Sequence, residues 1–329
     1  MRIGQNPAKF VASVPQPARV TVVIITYIPF LGGYYAEMLD VLKMCLSSLW
    51  AHSDLPFDLF IFDNASCPEV RAYLSSEHEA GRIRYLVLSA ENLGKAAAWN
   101  FVFAAAPGEI IAYADADIYF EQGWLSALVG VLDAFPNAGM VTGIPMWSPP
   151  QYSTATVAWA ETAEGVTLER GKLLGWDDYW KHARSLGQEE AEARANYDSQ
   201  TDMVLSITNL RSPITNHRLF IGAGHFQFVA RKSVLMDVLP IEADKPMGQV
   251  RRLDVAINER GYLRLSTSQW WVRHLGNTLG HPELVEGLDG VADPRGLDLP
   301  PSKPRLRGPL RRLVQWVYHQ AFEMLYRGR

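Results

Sequence analysis

A chain of 329 residues, 48% hydrophobic and 20% charged, is long enough to bury a large core as one elaborated α/β domain or as two fused halves. Its net charge of −4 gives no support to nucleic acid as a partner. The charge is unevenly spread: residues 303–329 hold seven Lys or Arg against the single Glu323, which makes this tail +6 and leaves the rest of the chain at −10.

Residues 1–18 carry Pro7, Pro15 and Pro17 and read as a loose lead-in. Val20–Thr26 is a β-branched apolar run, too short for a helix and typical of a buried parallel strand. Over residues 36–50, Met38, Leu39, Leu42, Cys45, Leu46 and Leu49 recur at three- and four-residue steps, which predicts an amphipathic helix. A second strand is expected at Leu59–Phe62, then a helix opened by Pro68 and running to about Ala80. A strand at Ile83–Leu88, a helix at Lys95–Ala106 and a strand at Ile110–Ala114 follow, then a helix near 122–135 and a strand at Gly139–Thr142. Residues 147–217 break this alternation with Trp147, Trp159, Trp176, Trp180 and a charged helical stretch near 177–197, and read as an insertion with its own helices. Alternation returns with the apolar segment Leu219–Ala230, a helix near 249–260 and Tyr262–His274.

Strand–helix alternation of this kind implies a parallel sheet with helices on both faces, and ligands of such sheets bind beyond the carboxyl ends of the strands. The residues there are Thr26-Tyr27, Asp63-Asn64, Asn92 to Lys95 and Asp115 to Asp117, all polar positions. Asp115-Ala116-Asp117 carries the most chemistry. Two carboxylates at the end of a buried strand cannot turn into the apolar core without a large desolvation cost, and they suit a hard divalent cation shared with substrate phosphates. A solvated acidic turn is the plainer alternative for an isolated D-x-D.

Three segments then combine: Ile61-Phe62-Asp63-Asn64-Ala65-Ser66; Glu91-Asn92-Leu93-Gly94-Lys95 with Ala97 and Asn100; and Tyr113-Ala114-Asp115-Ala116-Asp117. In order and spacing they resemble the GT-A glycosyltransferases of the large inverting family 2, over residues 20–143. Farther on, Arg252-Leu253-Asp254 before Arg260-Gly261-Tyr262 is similar to that family's Glu-Asp step, with Leu253 standing where an acid is usual. Val272-Arg273-His274-Leu275-Gly276 is similar to its Val-x-His-x-Gly element.

The resemblance implies a GT-A-like α/β fold, a nucleotide-binding parallel or mixed sheet flanked by helices. It implies a nucleotide-sugar donor (UDP-, GDP- or dTDP-linked), Mn²⁺ or Mg²⁺, and a glycan, lipid-linked or small-molecule acceptor. Asp63 would then pair with the donor's base, and Asp115 and Asp117 would meet its ribose and the metal-bound diphosphate. His274 would add a metal or diphosphate contact, and Asp254 would take the acceptor's proton. Thr26, Tyr27, Asn92, Gly94 and Lys95 would complete the donor site. The residues allow plainer roles too: Asp63 as a helix cap, Asn92 and Gly94 as a turn, Lys95 in solvent, His274 as a structural histidine.

The chain accordingly divides into a lead-in (1–18), a donor-binding half (19–146), a Trp-rich insertion (147–218), an acceptor-binding half (219–302) and a basic tail (303–329). In the tail, Leu310, Leu313, Val314, Val317, Ala321 and Met324 recur at helical spacing among arginines, a pattern that fits an anionic membrane surface or packing on protein. Cys45 and Cys67 form no framework, no run reaches ~18 apolar residues, and no signal peptide is legible, so a cytoplasmic address is expected. Gly222-Ala223-Gly224-His225 is too short for a dinucleotide fingerprint and reads as a tight turn or a place of close approach. A sugar nucleotidyltransferase, a retaining transferase and a non-catalytic nucleotide- or glycan-binding module are the competing readings.

Overall fold

Val20–Thr26 forms β1, whose side chains alternate between two separate apolar layers, Val20, Val22 and Ile24 to one side and Val23 to the other. A strand covered on both faces needs no polar face, which is why the run is continuously apolar. The structure, a computed structural model, describes residues 5–207, 217–245, 249–279 and 316–317.

After β1 come α1 (Met38–His52), β2 (Phe57–Asp63), α2 (Pro68–Glu79), β3 (Tyr85–Leu88), α3 (Lys95–Ala105) and β4 (Ile110–Asp115). Then follow β5 (Ile118–Phe120), α4 (Trp124–Ala134), β6 (Ala138–Thr142), α5 (Thr154–Thr162), β7 (Val166–Gly171), α6 (Trp176–Ser185), α7 (Glu190–Ser199) and β8 (Asp202–Ile207). The last elements described are β9 (His217–Ile221), β10 (Gln227–Arg231), α8 (Lys232–Val238), α9 (Arg251–Glu259), β11 (Leu263–Thr267) and β12 (Val272–His274).

Ten strands form one mixed sheet in the order β3-β2-β1-β4-β10-β6-β11-β9-β8-β7. β1, β2, β3 and β4 run parallel, as their apolar runs predict, while β10 enters antiparallel between β4 and β6. Helices α1, α2 and α4 bury their apolar stripes on one face, and α3, α8 and α9 on the other. Large side chains of the second layer, Trp99, Phe103, Tyr113 and Phe228, meet edge to face or tilted at 5.3–6.5 Å, apart from Trp99 on Phe103, which stack at 5.9 Å.

Two features depart from the sequence reading. The insertion carries helices α5, α6 and α7 as expected, but it also supplies β7 and β8, which continue the main sheet through β9. The segment 262–274 is two strands: β11 lies in the main sheet, whereas β12 leaves it to pair antiparallel with β5. The predicted tail helix lies outside the described residues, apart from Trp316 and Val317, which are helical and exposed.

Candidate active site

The carboxyl ends of β1, β2, β3 and β4 are tied together by the polar groups that follow them. Asn64 N–H donates to Thr26 O at 2.8 Å, and Ile28 N–H to Ser66 Oγ at 3.0 Å. Asn64 Nδ2 donates to Asn92 Oδ1, which also accepts Gly94 N–H, while Asn64 Oδ1 accepts Leu93 N–H, each at 2.8 Å. Asn64 thus joins the loop after β2 to the loop after β3. Thr26 is buried with its hydroxyl unpartnered, and Tyr27 packs edge-on to Tyr35 at 6.3 Å.

Asp63, expected at the donor's base, is 0% exposed. Its carboxylate accepts Ser66 N–H and, at 3.0 Å, Arg71 Nε, whose guanidinium also reaches Ser89 O. Gly94 turns at φ 75°, a left-handed conformation that favours glycine, and leads into α3 with no side-chain cap on the helix N-terminus. Lys95 therefore points from the first turn of α3 toward β4. It meets both oxygens of Asp115 at 2.6–2.7 Å, rather than standing in solvent. Tyr113 donates to the same carboxylate at 2.5 Å; burial first and Asp115 second hold its phenol far above the usual range, so it remains a donor.

Asp117 is placed differently. Its Oδ2 lies 3.3 Å from His274 Nε2, while its buried Oδ1 has no hydrogen-bond partner. Burial pushes its carboxyl up, His274 draws it back down, and Asp115 adds repulsion. The β5–β12 ribbon sets this pair: Ile118 faces His274 across the ladder, and Leu275 N–H donates to Asp117 O at 2.7 Å. Helix α6 of the insertion closes the same side. His182 lies 6.2 Å from the His274 ring and 5.0 Å from Phe226, and burial lowers it to about 3. The Asp117–His274 pair suits a divalent cation, because an unpartnered buried carboxylate oxygen and an imidazole are donors such an ion accepts.

The loop between β9 and β10 lies alongside the Asp115–Asp117 turn. Gln227 pairs with Ala114, and Asp115 N–H donates to Phe226 O at 2.8 Å, so His225 follows directly on this ladder. Asp254, in the first turn of α9, is 4% exposed and has Arg264 Nη2 2.8 Å from Oδ1 and His225 Nδ1 3.5 Å from Oδ2. Arg264 is itself buried and anchored to Tyr152 O at 2.7 Å and Ala223 O at 2.5 Å. Neither Arg264 nor His225 was singled out in the sequence as a partner of Asp254. Asp254 is 10 positions from Arg264 and 29 from His225, and neither spacing carries a periodicity that points to the juxtaposition.

The tryptophans of the insertion mostly pack on one another and on neighbours. Trp176 stacks on Trp180 at 5.9 Å, Trp159 meets Phe135 edge-on at 6.0 Å, and Trp147 Nε1 donates to Thr201 O at 3.2 Å.

A mixed α/β sheet flanked by helices, with polar loops at its carboxyl edge and a D-x-D turn after a central strand, defines a GT-A-like fold. Residues 22–179 match the family described as Glycosyl transferase family 2. Among solved structures, the mannosyltransferase PcManGT from Pyrobaculum calidifontis in complex with GDP-Man and Mn²⁺ is 17% identical. The match covers 79% of this chain and 57% of that one, at a TM-score of 0.44. S. aureus TarS 1-349 in complex with UDP is 14% identical over 78% of this chain and 60% of that one, at a TM-score of 0.42. The chain thus spans less than two thirds of the solved structures it matches. No curated protein matches by sequence.

Proposed function

We propose that this protein is a metal-dependent glycosyltransferase that moves a sugar from a nucleotide-sugar donor to a hydroxyl acceptor with inversion at the anomeric carbon. The observation that carries the reading is the buried, unpartnered Oδ1 of Asp117, whose Oδ2 lies beside His274, two residues beyond an Asp115 already neutralised by Lys95. A carboxylate held there at a desolvation cost has a use if a cation joins it. Asp117 and His274 would hold that cation, and a carboxylate with an imidazole favours Mn²⁺ over Mg²⁺, which prefers oxygen and water. When bound, it supplies positive charge to the departing nucleoside diphosphate.

The chain's own groups support the rest. The uncapped N-terminus of α3 behind Gly94 offers amide donors to phosphate oxygens, and the Asn64–Asn92 bonds keep that loop in place. Asp115, oriented by Tyr113 and Lys95, suits a ribose hydroxyl. Asp254 stands on the acceptor side, beside the loop that flanks the D-x-D turn, where the acceptor's proton is to be drawn off. UDP-, GDP- and dTDP-linked sugars are the donor class, and glycan, lipid-linked or small hydroxyl compounds the acceptor class. The address fitting these is the cytoplasm or the inner membrane face; among the described residues no helix is long and apolar enough to cross a membrane.

Thermal melts with UDP, GDP or dTDP, each with and without Mn²⁺, test the reading. One diphosphate with Mn²⁺ at ~100 times its dissociation constant should stabilise the fold by about 2.7 kcal/mol. No shift with any of the three defeats it.

A further inference from the structure

The acceptor-side acid of this site is poorly placed to touch an acceptor. The Asp254 side chain is 6% exposed, and one oxygen is held 2.8 Å from a guanidinium that is itself 1% exposed and anchored to two backbone carbonyls. A carboxylate enclosed in this way has no open oxygen to offer a substrate hydroxyl. His225 next to it is 34% exposed, and only its Nδ1 edge faces Asp254. The backbone that carries His225 continues the β10–β4 ladder past Ala114 and Asp115, which brings this residue to the edge of the D-x-D turn. Gly222 and Gly224 let this loop pack closely on its neighbours. A Cβ on Gly222 would fall 2.4 Å from Ser148 Cβ, and one on Gly224 2.5 Å from the Phe226 ring.

Resting on the transferase reading above, we infer that His225 is the general base of this enzyme and that Asp254, locked by Arg264, is the residue that positions it. Asp254 Oδ2 accepts the Nδ1 proton, which leaves Nε2 as the lone-pair nitrogen. Nε2 takes the proton of the acceptor hydroxyl as that oxygen bonds to the anomeric carbon, while the bond from this carbon to the diphosphate breaks and its electron pair leaves on the diphosphate. The imidazolium formed at His225 is then stabilised by the Asp254 carboxylate. The 3.5 Å separation closes to hydrogen-bond length when substrate draws the ring in, as free enzymes commonly show. A buried carboxylate serving a half-buried imidazole is a division of labour that also accounts for the arginine beside Asp254: the guanidinium fixes the carboxylate behind the ring.

The test uses the full chain with Mn²⁺ and UDP-glucose or GDP-mannose, with water as the acceptor, so no acceptor need be known. Diphosphate affinity and donor hydrolysis are measured for wild type, His225→Ala, His225→Gln and Asp254→Asn, each with and without free imidazole. The assignment expects both His225 variants to bind diphosphate and Mn²⁺ within threefold of wild type while turnover falls by ~10²–10⁴. Imidazole should recover His225→Ala at least about tenfold and leave His225→Gln, whose side chain fills the space, and Asp254→Asn unrecovered. Turnover of His225→Ala within threefold of wild type, or a loss that imidazole does not recover, overturns the assignment and returns the proton to Asp254. Full turnover in Asp254→Asn overturns the pairing. A wild type that neither binds diphosphate nor hydrolyses donor defeats the transferase reading itself, and is told apart because it precedes any variant.

Discussion

Asp115 and Asp117 are separated by one alanine and face different demands. Asp115 is a satisfied ion pair, and Asp117 keeps an oxygen without a partner. Asp117→Asn should therefore abolish the gain in diphosphate affinity that Mn²⁺ provides, while in EDTA it melts at or above wild type, because burial already opposes the charge. Asp115→Asn leaves the Lys95 ammonium without its counter-ion and should lower both affinity and melting temperature. His182 gives a separate pH signature. The residue is half-buried, but its Nδ1 is out of solvent contact, and burial lowers its pKa to about 3 against ~6.5 for the unfolded chain. Between these values the unfolded chain binds more protons, so stability rises with pH and is lost as pH falls below ~6.5. By pH 5 the loss should be about 2 kcal/mol, and calorimetry in EDTA should find it flattened in His182→Phe. The raised Asp117 carboxyl acts in the opposite sense, its stability falling as pH rises above ~3.8, so the flattening in the variant is the diagnostic rather than the wild-type slope.

At the scale of elements, the β9–β10 loop is where backbone strain serves the site. Gly222 has φ 136°, a conformation rarely taken by other residues, and its N–H donates to Arg264 O at 2.9 Å. Gly222→Ala should cost about 1–3 kcal/mol from the backbone alone, with the Ser148 collision added. Adding Ser148→Gly should relieve the collision and leave the backbone strain, so melts of the double variant should recover only in part. Full recovery would place the whole effect in the collision. The insertion is fixed by a comparable device. Asp202 at the start of β8 is buried and accepts Leu173 N–H and Leu174 N–H, both at 2.9 Å, which holds the segment leading to α6 against the sheet.

At the scale of the whole molecule, the acidic body and basic tail remain the unexplained asymmetry. Deleting residues 303–329 should leave Mn²⁺-dependent diphosphate binding unchanged while weakening sedimentation with anionic vesicles at low salt, since each lysine or arginine near such a surface contributes ~1 kcal/mol. Loss of folding on deletion, or an intact chain that ignores the vesicles, would favour packing on protein instead.

The parallel core β1–β4 and its helices were legible in the sequence because strands buried on both faces are continuously apolar and helices repeat at three and four residues. The D-x-D turn was legible for a related reason: acids directly after a buried strand must emerge at its carboxyl end. β7, β8 and the departure of β12 from the main sheet were not, since short strands of mixed polarity take their place from their neighbours. Nor could spacing alone reveal that Asp63 is enclosed by Arg71, that Lys95 reaches Asp115, or that Asp254 lies between Arg264 and His225. Local sequence determines which groups reach a strand end. Which of them neutralise one another, and which remain for a ligand, depends on distances between distant segments that only the packed chain sets.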